Sequence, residues 1–461
     1  MDTFDLIIIG TGSGNAIPEE FADWKIALVE RGVFGGTCLN VGCIPSKMFV
    51  LPADLATAVR HSGNLGLDLS FNGADWPAIR DRVFGRIDPI AAGGEEYRAS
   101  GTPNVELIRG TARFTGRKVL DVDGRTIGAD RIMVATGSRA VMPPIPGLVD
   151  GPDKVRVHTS DTIMRLETLP ERLAIIGGGF IAAELGHVFS GYGSAVTLFN
   201  RSNVLLRSGD GEIATRFTEV FGRRVDLHLG HVPERVEQVG ETLHIHVGDE
   251  VFEADELLVA TGRIPNADLV AAEAGGLDLH EDGRIKVDET MATSVDGVWA
   301  IGDVANAYQL KHLANAEAKV AFWNMRHPDS QRTVDYRAVP QAVFSNPQTA
   351  SVGLTEEEAA AGGYDYVVGS RDYGGTAYGW AMEDSDSFAK VIIDRSSGLL
   401  LGAHIIGSQA ASLLQPLIQA MQFGQTAEAV ANDVFYIHPA LTEVVENALL
   451  EGVSKLSESP S

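Results

Sequence analysis

Short apolar runs ending in glycine or a polar residue recur along the chain. Asp5-Leu6-Ile7-Ile8-Ile9 runs into Gly10, and Ile26-Ala27-Leu28-Val29 into Glu30. Arg131-Ile132-Met133-Val134-Ala135 leads to Thr136-Gly137, Leu173-Ala174-Ile175-Ile176 to Gly177, and Ala195 through Phe199 to Asn200. Glu256-Leu257-Leu258-Val259-Ala260 leads to Thr261-Gly262-Arg263, and Val298-Trp299-Ala300-Ile301 to Gly302-Asp303. Each run is too short for a helix and apolar on both faces, which predicts strands buried in a parallel sheet. Residues 50–115 read as mixed and mainly helical, with Ile87-Asp88-Pro89-Ile90 interrupting. Pro143, Pro144 and Pro146 predict an extended linker at a domain boundary. Beyond Pro340 the texture changes: strand-like runs (Ala389 to Ile393, Leu400 to Ile406) alternate with an apolar helix from Ser412 to Met421. The pattern is that of an α/β protein with two similar cycles and a different C-terminal part.

At 461 residues the chain is long enough for about three domains. A formal charge of −25 argues against nucleic acid or an anionic membrane as partner. No apolar run approaches the ~20 residues of a membrane span, and the strand starting near Phe4 leaves no room for a signal peptide. A soluble cytoplasmic protein is expected.

Only two cysteines occur, and both lie in Gly35-Gly36-Thr37-Cys38-Leu39-Asn40-Val41-Gly42-Cys43-Ile44-Pro45-Ser46-Lys47. Two cysteines without a histidine cluster do not make a zinc site, and no metal site is expected. Five helical residues rise about 7.5 Å, beyond the roughly 6.8 Å that a disulfide's Cα atoms span. A Cys38–Cys43 bridge therefore needs distorted backbone, which Asn40 and Gly42 permit. Such a bridge is reducible, so the reading favoured over two inert buried thiols is a redox-active pair in a reducing compartment.

The glycine turns add to this. Gly10-Thr11-Gly12-Ser13-Gly14-Asn15 is a G-x-G-x-x-N variant of the dinucleotide fingerprint, with Glu30 placed for a ribose hydroxyl. Asn15 stands where a third glycine is usual, and Pro18 is expected to shorten the following helix. Gly177-Gly178-Gly179-Phe180-Ile181-Ala182 is a second fingerprint. Its acid position is Asn200, followed by Arg201 and Arg207. Arginines there accommodate a 2′-phosphate and point to NADPH; the bland alternative is two solvated arginines. Asp303 at the end of a buried strand is costly unless something polar binds beside it. His438-Pro439, taken alone, is more often a helix-start feature than a catalytic one.

Together, these motifs in this order resemble the class I pyridine nucleotide–disulfide oxidoreductases over essentially the whole chain. The resemblance implies an α/β fold with two Rossmann-like dinucleotide-binding domains and a C-terminal α+β dimerisation domain. The implied ranges are 1–148 for FAD, 149–264 for NADPH, 265–335 completing the FAD domain, and 336–461 for the dimer interface. Gly10, Gly12 and Gly14 are implied at the FAD pyrophosphate, Glu30 at the adenosine ribose and Asp303 at the ribityl chain, with Ser13, Gly36, Thr37, Thr136, Gly137 and Gly302 as further cofactor-binding residues. NADPH is implied at Gly177, Gly179, Ile181, Gly262 and Arg263, with Arg201 and Arg207 on the 2′-phosphate. Phe180 falls where relatives carry a tyrosine over the flavin, and Lys47 and Glu184 match an ion pair beside it. Cys38 is the implied interchange thiol and Cys43 the thiol nearer the flavin. His438, oriented by Glu443, is the implied acid reaching in from the second subunit of a homodimer.

Within the family, Gly10 to Asn15, Phe84-Gly85-Arg86-Ile87-Asp88-Pro89-Ile90-Ala91 and Tyr378-Gly379-Trp380-Ala381-Met382-Glu383-Asp384 resemble the mycothione-reducing branch. That implies a small disulfide, mycothione, as substrate. A dihydrolipoamide dehydrogenase or glutathione reductase-like enzyme is the near alternative, and a non-catalytic flavoprotein subunit the distant one. The intact cysteines, Lys47 and the His438–Glu443 pair speak against the latter.

Overall fold

The computed structural model describes residues 1–148 and 156–457. The boundary expected at 148/149 and the last residues of the 336–461 range therefore lie at or outside the described residues. Two compact units emerge: 1–46, 78–141 and 262–335 form one, and 47–77, 142–261 and 336–461 the other.

The first unit is built on a seven-stranded sheet. Asp2–Ile9 lies between Ile26–Glu30 and Arg125–Val134, all parallel, with Val105–Arg109 beyond Ile26–Glu30 and Val298–Ala300 on Arg125–Val134. Ala112–Gly116 and Val119–Val122 add an antiparallel edge. The apolar runs are buried as their composition demands: Leu6, Ile7, Ile8, Ala27, Leu28, Ile132 and Val134 are fully enclosed. Register does the functional work. Ile9 pairs with Val29 and Val134, and Val134 with Ala300. Gly10, Glu30, Ala135 and Ile301 thus emerge side by side at the carboxyl ends of adjacent parallel strands, where open α/β sheets bind ligands.

In the second unit, five parallel strands run in the order Asp226–Leu229, Ala195–Asn200, Arg172–Ile176, Glu256–Val259, Val157–His158. Here Ile176 pairs with Phe199 and Val259, again aligning Gly177, Asn200 and Ala260. The same unit holds an antiparallel five-stranded sheet from residues 340–406, covered by the helix Thr442–Leu456. Gly369 and Gly452 allow that contact, since a Cβ on Gly369 would lie 2.1 Å from the Ala448 carbonyl oxygen.

Four local expectations change. Pro89 does not interrupt its segment: Trp76–Ser100 is one helix. Its inner face, Val83, Phe84, Ile87 and Ala91, is buried, and the residue four before Pro89 is Gly85, whose backbone yields most easily to the ring. The helical texture also stops well short of 115, because Val105–Arg109 and Ala112–Gly116 are strands. The expected Ser412–Met421 helix is split into Ala410–Leu413 and Gln415–Phe423, since Pro416 has no N–H to continue the first and suits the opening turn of the second. The helix after the first fingerprint is not merely shortened; only 3-10 turns, Ser13–Asn15 and Glu19–Phe21, are present.

One buried charge cluster holds the second unit together. Asp210 caps the helix Gly211–Phe221 and accepts from the buried Lys390 Nζ at 3.1 Å, which also lies 2.6 Å from Glu356 and 3.3 Å from Glu212. Burial opposes the Lys390 charge, but Glu356 and Asp210 hold its ammonium above its ordinary value. Lys390→Met strands a buried carboxylate and is expected to cost about 3 kcal/mol, read as a lower denaturant midpoint at unchanged slope. Among the described residues no helix is long and apolar enough to cross a membrane, and no His, Cys, Asp and Glu cluster could hold a metal ion.

Candidate active site

The first glycine loop packs backbone against backbone. Gly10 has φ +106°, and a Cβ there would lie 2.4 Å from the Ala135 carbonyl oxygen. Gly36, φ +72°, would set a Cβ 2.8 Å from Gly12 Cα. The loop therefore touches the turn that leads into the cysteines, and neither position tolerates a side chain. Glu30 fixes the arrangement: its carboxylate accepts from Thr11 N (3.0 Å), Thr11 Oγ1 (2.6 Å) and Gly32 N (2.7 Å). Thr136 Oγ1 and Asn40 Oδ1 are buried with no hydrogen-bond partner among the described residues. A glycine cradle with orphaned polar atoms beside it fits a bound dinucleotide.

Asp303 lies in the 3-10 turn Gly302–Val304 and accepts from Ser138 Oγ at 2.6 Å. Arg263, expected at the nucleotide of the second fingerprint, is placed on Ser138, donating to its Oγ (2.8 Å) and its carbonyl (2.7 Å).

Between the cysteines the helix breaks. Gly36–Asn40 ends at Val41 (φ −143°, ψ 11°), and a new helix, Cys43–His61, starts after Gly42. Gly42 folds back on the preceding turn so closely that a Cβ would lie 3.0 Å from the Thr37 carbonyl oxygen and 3.4 Å from Cys38 Cα. Asn40, buried, donates from Nδ2 to the Phe34 and Gly36 carbonyls at 2.9 and 3.0 Å and locks the first turn. Cys38 is half-buried and Cys43 exposed, and the two are present as thiols. A hydrogen bond with Cys43, then burial, pushes the Cys38 thiol well above its ordinary value, while Lys311 pulls it down. Two thiols in hydrogen-bond contact across a break in the helix can close to a disulfide and reopen.

Lys47 follows Cys43 by one turn of the helix Cys43–His61. Its Nζ lies 2.7 Å from both Glu184 oxygens and 4.7 Å from the centre of the Phe344 ring. Glu184 is buried on the helix Phe180–Tyr192 and also accepts from Phe344 N at 3.0 Å. Phe180, the first residue of that helix, is exposed. The glycine turn before it is as tight as the first: a Cβ on Gly177 (φ +134°) would lie 2.2 Å from the Ala260 carbonyl oxygen.

Asn200, in the acid position, turns back to donate to the Ser202 and Val204 carbonyls, each at 3.0 Å, and packs against Gly178. Leu206 N donates to Gly178 O at 2.8 Å, pinning the 200–207 turn to the glycine loop. Arg201 and Arg207 on that turn are exposed and have no ion pair or hydrogen bond among the described residues. Two uncommitted guanidinium groups at the end of a dinucleotide cradle suit a phosphate.

Near the C-terminus, His438 Nδ1 lies 2.7 Å from Glu443 Oε1, and Ala440 N donates to Glu443 Oε2 at 3.3 Å. The His438 side chain is 70% exposed against 16% for Glu443, so a held imidazole presents Nε2 outward. Phe435 and Ile437 beside it are likewise exposed. The carboxylate on Nδ1 selects the tautomer whose Nε2 can exchange a proton with a neighbour.

Sequence reasoning passed over Lys311. Its Nζ donates to Ser13 Oγ at 2.9 Å; the signal was a lysine opening a helix, where the dipole disfavours a cation.

Comparison with known proteins gives a consistent result. Residues 4–318 match the pyridine nucleotide-disulphide oxidoreductase family, and residues 339–449 its dimerisation domain. Mycothione reductase of Mycobacterium tuberculosis is 49% identical, covering 98% of this chain and 99% of that protein. A dihydrolipoyl dehydrogenase of Halobacterium salinarum is 34% identical over 96% of this chain and 95% of its own length. Among solved structures, the HOCl-induced flavoprotein disulfide reductase RclA from Escherichia coli superposes with a TM-score of 0.84 at 28% identity, covering 98% of this chain and 99% of that one.

Proposed function

The chain belongs to the pyridine nucleotide–disulphide oxidoreductase family, and on that premise we propose that it reduces mycothione to mycothiol with NADPH through Cys38 and Cys43. Membership makes it a flavoprotein disulfide reductase that uses FAD and NAD(P)H, and the matched dimerisation domain makes it a homodimer acting on a small disulfide. The observation that carries the reading is the dithiol across the Gly42 break, set in a chain about half identical to a mycothione reductase along its whole length.

FAD, when bound, relays the two electrons of a nicotinamide hydride to a disulfide. Gly10, Gly12, Ser13 and Gly14 would hold its pyrophosphate, Glu30 its adenosine ribose, and Asp303 its ribityl chain. In our reading residues 1–148 and 265–335 serve FAD, 149–264 NADPH, and 336–461 the dimer contact. Lys47, held by Glu184, keeps a positive charge one turn from Cys43. Once the Cys38–Cys43 bond is opened, the Cys38 thiolate attacks one sulfur of the substrate, forming a mixed disulfide and expelling one thiolate. His438 from the second subunit gives that thiolate its proton, with Glu443 stabilising the imidazolium. Cys43 then attacks Cys38, closes the protein disulfide and releases the second thiol. One NADPH, one proton and one disulfide give two thiols and NADP⁺. A dithiol cycling in this way fits a reducing cytoplasm.

The test is NADPH oxidation by the purified yellow protein with mycothione, glutathione disulfide or lipoamide, repeated with NADH. Fast turnover is expected with mycothione and NADPH; preference for lipoamide with NADH would overturn both the substrate and the arginine argument. The double variant Arg201→Ser/Arg207→Ser is expected to raise KM for NADPH by about 10- to 100-fold and leave NADH use nearly unchanged, since two solvent-screened arginine–phosphate contacts are together worth about 1.4–2.8 kcal/mol.

A further inference from the structure

We propose that Lys311 supplies, at the FAD pyrophosphate, the positive charge that a helix N-terminus supplies in an ordinary dinucleotide fingerprint. The inference rests on the assignment of residues 10–15 to that pyrophosphate made above.

The two fingerprints differ in the backbone that comes after the glycines. After Gly179 the chain enters a 13-residue α-helix, whose first turn and dipole face the loop. After Gly12 comes only the three-residue turn Ser13–Asn15, then Pro18 in extended conformation (φ −69°, ψ 154°), then the turn Glu19–Phe21. A single 3-10 turn lacks the row of aligned peptides that makes a macrodipole. The side chains next in line, Glu19 and Glu20, have the wrong sign for a phosphate.

The loop gets its cation from elsewhere in the chain. Lys311 Nζ donates to Ser13 Oγ at 2.9 Å, and Ser13 Oγ donates to Asn315 Oδ1 at 3.0 Å, one turn further along the Lys311–Arg326 helix. This chain of bonds sets the ammonium at the glycine loop. Its location is electrostatically unfavourable by itself, because Lys311 is the first residue of its helix and no acidic residue lies in that first turn. Among the described residues it has no carboxylate partner within ion-pair distance. A cation kept against the dipole without a counter-charge is explained by an anion at the same place.

The other departure fits the same picture. Arg98 donates to Asn15 Oδ1 and to the Asn15 carbonyl, both at 2.8 Å. Asn15 thus replaces the usual third glycine to tether a turn that no helix holds, and Arg98 is committed to that tether, leaving Lys311 as the cation for the phosphates.

The test compares wild type, Lys311→Met and Lys311→Arg in FAD release from the holoenzyme at low and high salt, and in binding of ADP and of adenosine to the deflavinated full chain. For Lys311→Met, FAD and ADP affinity are expected to fall about 10- to 30-fold, adenosine binding to stay unchanged, and the salt dependence to flatten. Lys311→Arg is expected to stay within about threefold of wild type. Unchanged ADP binding in Lys311→Met, or equal losses for ADP and adenosine, would overturn the proposal. If wild type itself bound adenosine as tightly as ADP, the assignment of residues 10–15 to the pyrophosphate would be the part that fails.

Discussion

Cys43→Ser is expected to lower disulfide turnover at least about a thousandfold while FAD stays bound. Loss of one member of a covalent relay removes the pathway rather than a fraction of it. The serine hydroxyl is no match for a thiolate: it neither accepts electrons as half of a disulfide nor expels a thiol from a mixed disulfide. The geometry adds a finer expectation. Cys38 remains in the Gly36–Asn40 turn locked by Asn40, so Cys43→Ser should still react once with mycothione and keep half of it. Mass spectrometry should find one substrate thiol on Cys38, released by dithiothreitol. Cys38→Ser should also be inactive and carry no such adduct. A turnover loss shared by both variants, with a trapped adduct in only one, separates the two roles.

The second large effect is at His438. His438→Ala is expected to cost about 10²–10⁴-fold in kcat, the usual worth of a placed general acid. Glu443→Gln should cost less, about tenfold, because the glutamine still accepts a hydrogen bond at 2.7 Å range but no longer stabilises an imidazolium. Exposure of the His438 ring is consistent with service to a second copy, and mixing tests it. Subunits carrying Cys38→Ser and subunits carrying His438→Ala, each inactive alone, should regain activity when dissociated and reassociated. Only mixed dimers pair an intact cysteine pair with an intact histidine, at one of two sites, so about a quarter of wild-type activity should return. No recovery in demonstrably mixed dimers would place the histidine in the same subunit as its cysteines.

Much of this was legible in the residues because parallel strands announce themselves. The runs around Ile7, Ile132, Ile175 and Leu258 are apolar at every position because both faces are covered, and the glycines follow where a Cβ would come within 2–3 Å of a neighbouring backbone. The break between Cys38 and Cys43 was foreseeable from a distance argument alone. Prolines were less transparent. Pro89 sits inside a helix that its buried face keeps intact, whereas Pro416 divides one, and the sequence marks the two alike. Asn200 looked like an absent acid and is a turn lock. Lys311 and Ser13 lie almost 300 positions apart, and no periodicity joins them; their contact exists only once the Lys311–Arg326 helix is folded against the first glycine loop.

The most direct measurement is a thiol count before and after one equivalent of NADPH, made anaerobically on the holoenzyme with iodoacetamide and peptide mass spectrometry. The oxidised protein should show neither cysteine alkylated, and NADPH should expose two thiols per subunit, with Cys38 labelled first. If NADPH is oxidised while Cys38 and Cys43 remain unlabelled, or if both are already labelled without it, the electrons do not pass through this pair.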